Sequence, residues 1–219
     1  MATIEKRLYE IPMDELTTAE DFALESLHMD KERVMKRYAE TYEETLARCY
    51  KDLKCQGVYK GFSVVSKSED GFELEGGIVL KSKNLAKVMF RADEIVAYAV
   101  TVNGHDELMA DPDLSMMESM FFNAWGVGFS MSAHRWLKKK IQKEARDSDL
   151  YAGRGWIPGE ESIEMNLQRE LFELLDPSQI GISLADSGVM TPVMSVNGFI
   201  GICADSAICN DGKDIAEHH

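Results

Sequence analysis

Val58-Tyr-Lys-Gly-Phe-Ser-Val-Val-Ser66 and Phe72-Glu-Leu-Glu-Gly-Gly-Ile-Val-Leu80 are the stretches on which the fold turns. Both are rich in β-branched and aromatic residues, and Ser68-Glu-Asp-Gly71 between them is a turn signal, so they read as an antiparallel hairpin. The periodicity on either side is helical. Antiparallel strands interleaved with helices define an α+β class.

Upstream, Val34, Tyr38, Tyr42, Leu46, Tyr50 and Leu53 recur in three- and four-residue steps between charged positions, the pattern of an amphipathic helix. A core-facing surface accounts for the tyrosine stripe better than a ligand cage does. Before it, Thr17 followed by Glu20 reads as a capping box opening a short helix over Thr17–Met29. These readings divide the chain into a helical N-terminal extension over 1–56, a core over 57–205 and a polar tail over 206–219.

Downstream, Ser82 is placed to cap a brief helix over Asn84–Phe90, and Glu94–Val102 reads as an apolar strand. Leu114–Lys143 contains no proline and is apolar on nearly all sides up to Trp136, as a buried central helix would be. Its Met116, Met117, Met120 and Met131 suit core filling or an adaptable cofactor surface. The Lys138-Lys-Lys140 run complements the helix dipole as a solvated cationic end. Tyr151–Gly159 reads as a Gly- and Pro-containing loop, and Ser162 as the cap of a helix ending at Asp176-Pro177. Strand-like segments follow at Ile180–Leu184 and Val193–Cys203.

The 219 residues, 45% of them hydrophobic, are enough for a sizeable core. The 24 Lys and Arg against 38 Asp and Glu give a formal charge of -14, a field that repels nucleic acid and anionic membranes. No stretch approaches the roughly 18 uninterrupted apolar residues of a membrane span, and the start lacks an apolar signal region, so the expected location is the cytoplasm. Cys49, Cys55, Cys203 and Cys209 match neither a zinc ribbon nor a redox pair and read as free thiols. His28, His105 and His134 lack a metal-ligand neighbour at helical or loop spacing, so no metal site is expected. His218 and His219, at the end of the tail, are left out of that reasoning. Nucleotide-binding glycine loops, a nucleophile elbow and a zinc helix are all missing from the chain.

Gly153-Arg-Gly-Trp-Ile-Pro-Gly159 sets a permanent cation beside a backbone opened by glycines, just ahead of an expected helix start. That suits a carboxylate or another small anion, and equally a plain turn carrying a surface arginine. Behind it come Gln168-Arg-Glu-Leu-Phe-Glu-Leu-Leu175, Ile180-Gly-Ile-Ser-Leu-Ala-Asp-Ser187, Met190-Thr-Pro192 and Ser195-Val-Asn-Gly-Phe-Ile-Gly-Ile202. In that order these segments resemble the end of the reactivation domain of cobalamin-dependent methionine synthase and its short stand-alone relatives. Gly76–Ser82, Asn84–Lys87 and Ile95–Thr101 extend the resemblance upstream.

The resemblance implies a twisted antiparallel sheet with packed helices. It implies S-adenosylmethionine held by Arg154, Trp156, Pro158, Gly159, Asp186 and Ser187, with Met190 and Pro192 facing a corrinoid. The cobalamin would be carried by a partner, a corrinoid protein or cobalamin-dependent methyltransferase, with a reductant protein as a further partner. Two departures stand out: Glu160 replaces the family's tyrosine after Pro-Gly, and Met131 occupies a position where the long helix usually offers glutamate. Two functions follow: a methyl-donating accessory of corrinoid reactivation, or a corrinoid-protein-binding regulatory module that has lost the methyl donor. A self-contained enzyme with unrelated chemistry would need an acid–base pair among Asp186, Glu160, Glu161 and His134.

Overall fold

In a computed structural model the structure describes residues 2–205. The elements are β1 (Arg7–Ile11), α1 (Ala19–Ser26), α2 (Lys31–Asp52), β2 (Lys54–Ser68), β3 (Gly71–Leu74), β4 (Ile78–Lys81), α3 (Lys83–Met89) and β5 (Glu94–Asn103). They continue with α4 (His105–Met109), α5 (Met116–Asp147), β6 (Tyr151–Trp156), α6 (Leu167–Leu175), β7 (Ser183–Leu184), β8 (Met190–Thr191) and β9 (Ser195–Cys203). The main sheet runs β4-β3-β2-β5-β9-β6, with β1 paired to the first half of β2, and every pairing is antiparallel. The α+β class and the antiparallel sheet with packed helices are therefore as the sequence suggests.

β5 is buried on both faces, and side chains alternate along a strand, so it divides the core in two. Val96, Tyr98, Val100 and Val102 join a cluster with α1, α2 and α5; Ile95, Ala97 and Ala99 join another with α3 and α6. The long helix α5 crosses the first face with Phe121, Phe122, Trp125, Phe129, Leu137 and Ile141 all buried. Its start is fixed by a capping box, in which the Ser115 hydroxyl accepts from the Glu118 amide and the Glu118 carboxylate accepts from the Ser115 amide. Ser115→Ala is expected to cost about 1 kcal/mol. It should lower the melting temperature by about 2–4 °C in circular dichroism.

The first 56 residues contain a strand as well as helices, and the expected boundary at 56/57 falls inside β2. β1 lies across β2 from Ile11↔Cys55 to Arg7↔Tyr59. The Tyr59 hydroxyl donates to the Glu144 carboxylate at 2.6 Å, binding this edge to α5. The buried Glu94 carboxylate accepts the Thr3 and Ile4 amides at 2.7 and 2.8 Å, which pins the chain start to β5.

Several local expectations change. The strand expected over Phe72–Leu80 is two strands, because Gly76 and Gly77 take φ of 82° and 78° and fold β3 back on β4. α1 begins at Ala19, and Glu20 pairs with Lys31 and accepts from Tyr42 instead of closing a capping box. Tyr151–Trp156 is the edge strand β6, not a loop. α6 begins at Leu167, not Ser162, because Glu161 and Ser162 both adopt left-handed backbone. Of Ile180–Leu184 only β7 is strand. Ser82 does cap α3, its hydroxyl accepting from the Leu85 amide at 2.9 Å.

Cys49, Cys55 and Cys203 are buried, and Cys49 and Cys55 are free thiols. Burial pushes the Cys49 and Cys55 thiols up to about 12, where they stay protonated and unreactive. Cys209 and the expected tail over 206–219 lie outside the described residues. Among the described residues, no helix is long and apolar enough to cross a membrane.

Candidate functional site

The Gly153–Gly159 segment runs along the outer edge of the sheet. β6 pairs with β9 as Ala152↔Ile202, Gly155↔Ile200 and Trp156↔Phe199, with a bulge that holds Gly153 and Arg154. A bulge re-aims the side chain it carries. The Arg154 guanidinium accordingly lies over the Trp156 ring, 4.7 Å from its centroid, and pairs with the Glu161 carboxylate. About half of each charged side chain is exposed. Beneath them is a small depression of about 60 Å³, bordered by the end of α3 and by Gly201 and Cys203 of β9.

After Trp156 the chain closes in two turns: Glu160 N–H donates to the Ile157 carbonyl and Gly159 N–H to the Ile163 carbonyl. Ile163 is buried and anchors the loop in the second core. The Asn84 side-chain amide donates to the Ser162 carbonyl at 2.6 Å and holds the loop's far end. Pro158 is buried; Gly159, Glu160 and Glu161 face solvent. Arg154, Trp156, Pro158 and Gly159 thus form one continuous rim.

Asp186 and Ser187 occupy the exposed tip of the β7–β8 hairpin. The Arg169 guanidinium on α6 donates to the Asp186 carbonyl at 2.5 Å. No hydrogen bond or ion pair joins this tip to Arg154 among the described residues. A route between the two groups runs along β9. Asn197 contacts Met190 at 3.2 Å and Phe199 lies opposite Trp156. Residues two apart on a strand share a face at about 7 Å, which brings Met190 and Trp156 to neighbouring positions over the same core. The Asn197 and Gln168 amide oxygens on this side are buried without hydrogen-bond partners. Pro192 is held by its own turn, its carbonyl accepting from Ser195 at 2.6 Å, and the Val193 amide donates to the Asp106 carboxylate at 3.1 Å.

The other face of β6 carries Tyr98, His134 and Lys138, which the sequence did not bring together. Tyr98 is fully buried, and its hydroxyl meets His134 Nε2 at 2.8 Å with the two rings stacked. Burial lowers the His134 pKa to about 3, so the imidazole is neutral at ordinary pH. A Cβ at Gly198 would stand 2.6 Å from the Tyr98 hydroxyl, and one at Gly155 3.0 Å from it and 3.5 Å from Lys138 Cδ. Both strands therefore need glycine where they pass over this tyrosine. Lys138 is partly buried here and is not the solvated end expected, because α5 runs on to Asp147. Burial, then the Arg154 and Arg135 guanidinium groups, holds its ammonium below the ordinary lysine range. Lys140 instead caps the Trp136 ring at 4.3 Å. A run of three lysines gives no sign of which one turns inward; the one pointer is the glycine at Gly155, which leaves room for the Lys138 stem.

A sheet of this order with a long helix across one face and an edge-strand loop as its rim is the reactivation-domain fold. The solved MetH reactivation domain bound to AdoHcy matches this chain with a TM-score of 0.69, over 93% of this chain and 80% of that one. The two are 17% identical, so the likeness is one of fold. No protein-family model and no curated protein sequence matches the chain.

Proposed function

We propose that this protein is an accessory of corrinoid reactivation that binds S-adenosylmethionine at the β6 rim and docks on a corrinoid protein. The observation that carries the reading is the fold, which a solved domain bound to AdoHcy shares, together with the Arg154 loop on its edge strand. The donor set suits the amino-acid end of such a ligand. Arg154 on one face of β6 and Lys138 on the other offer cations to a carboxylate; Glu160 and Glu161 offer anions to an ammonium or sulfonium. Asp186 and Ser187 join the site through the resemblance of their segment to the family.

Bound there, S-adenosylmethionine supplies an electrophilic methyl group to a corrinoid on a cobalamin-dependent methyltransferase that a reductant protein has first reduced. The chain's own part is to hold and orient. Trp156 and the closed turn after it give the ligand a fixed wall, and the rim positions it at the sheet edge. Val189 and Val193, both more than half exposed, flank Met190 and Pro192 and form an apolar lip suited to the partner. A cytoplasmic setting accords with the buried free thiols.

Calorimetric titration with S-adenosylmethionine tests the reading, and saturable heat in the micromolar-to-millimolar range is expected. Silence at millimolar ligand removes it. The pairing of Arg154 with Glu161 favours a second reading, a corrinoid-protein-binding regulatory module without a methyl donor. That version predicts binding to a purified corrinoid methyltransferase unaffected by S-adenosylmethionine.

A further inference from the structure

Arg154 and Lys138 flank β6 on its two faces, and they are not equivalent. Arg154 is already paired with Glu161, stacked on Trp156 and half exposed. Lys138 is partly buried and, among the described residues, makes no ion pair and no hydrogen bond. The charges that act on it are other cations, Arg154 and Arg135. Glu160 is close enough to act on the Tyr98 hydroxyl, yet it forms no ion pair with the lysine. A half-sheltered ammonium among like charges is short of an anion, and sites of that kind are where a ligand's negative group is worth most.

The space around it has the matching shape. The lysine stem crosses β6 at Gly155, where a Cβ would lie 3.5 Å from its Cδ. Beside it the Tyr98 hydroxyl is held by neutral His134 at 2.8 Å, under the second glycine, Gly198. We infer that Lys138, rather than Arg154, receives the carboxylate of the bound amino-acid ligand, over the notch that Gly155 leaves in the edge strand. Arg154 then acts as part of the wall, keeping Glu161 and Trp156 in place.

This inference rests on the reading of the site as one for S-adenosylmethionine, and its test separates the two. The probes are S-adenosylmethionine and its decarboxylated analogue, which keeps the sulfonium and nucleoside but lacks the carboxylate. The wild-type protein is expected to prefer the former by at least about tenfold, the scale of one charge-assisted hydrogen bond. Lys138→Met keeps the apolar stem, and it should bring that ratio close to one by weakening only the carboxylate-bearing ligand. Lys138→Arg should retain the preference. Arg154→Met should weaken both ligands together and leave the ratio in place. Lys138→Gln serves the same comparison if the methionine variant does not fold. An unchanged ratio in the Lys138 variants, or its loss in Arg154→Met, overturns the inference and leaves the proposed function standing. A wild-type protein that binds neither compound overturns both.

Discussion

Trp125→Ala is expected to reduce the free energy of unfolding by about 3–5 kcal/mol, the cost of emptying the space of a buried indole. Trp125 is 1% exposed on α5, with its ring 4.8 Å from Tyr42 of α2 and 5.9 Å from Phe129. Tyr42 also meets Phe121 edge-on at 5.5 Å, so the indole is the centre of an aromatic seam between the two helices. Trp125→Phe should cost far less, under about 1.5 kcal/mol, because it keeps most of the volume. It also removes an indole N–H that is buried without a partner. Urea unfolding followed by circular dichroism checks both, since a fall in midpoint at constant slope reports stability alone. A two-step transition in Trp125→Ala, with α2 melting first, would show that residues 1–56 can detach from the sheet. A single transition would show that they belong to the same cooperative unit.

The seam also shows why some of the fold was legible and some was not. The stripe from Val34 to Leu53 and the apolar run after Leu114 announce helices, because each must bury a face. The hairpin and the Ser82 cap are equally plain, since turn residues and a hydroxyl three residues before an apolar position act locally. β1 escapes such reasoning. Arg7, Leu8, Tyr9 and Glu10 mix charge with an exposed leucine, and the strand exists through its pairing with β2, roughly fifty residues away. The helix expected at Ser162 fails for a related reason. Left-handed backbone at Glu161 and Ser162 is imposed by the Asn84 contact and the buried Ile163, and non-glycine residues give no warning of it.

At the site, Arg154 and its loop could be found because glycines and proline surround a cation. The placement of Tyr98, His134 and Lys138 could not. These residues come from β5 and α5, and they meet only because Gly198 and Gly155 let two strands pass over a phenol. A glycine in a strand suggests close approach. It does not say what approaches.

His134→Gln is expected to flatten the acid dependence of stability, and the sign follows from the direction of the shift. Burial depresses the folded-state pKa of His134 to about 3, below the ordinary 6.5, so between those values the unfolded chain binds the proton that the folded chain refuses. Stability from this residue is therefore complete above about pH 6.5 and drains away as the pH falls toward 3. Between pH 7 and pH 4 the loss amounts to about 3 kcal/mol, from about 1.4 kcal/mol for each pH unit in the window. Glutamine cannot take up a proton, and its amide can still meet the Tyr98 hydroxyl in place of Nε2, so the variant keeps the contact and loses the slope. Urea unfolding of both proteins at pH 7, 5.5 and 4 isolates the effect, because the carboxylates that titrate at the acid end are common to the two. Parallel profiles would mean that His134 is solvated and protonated inside the fold. In that case Tyr98 would lack its acceptor, and the polar floor beneath Gly155 would be charged instead of neutral.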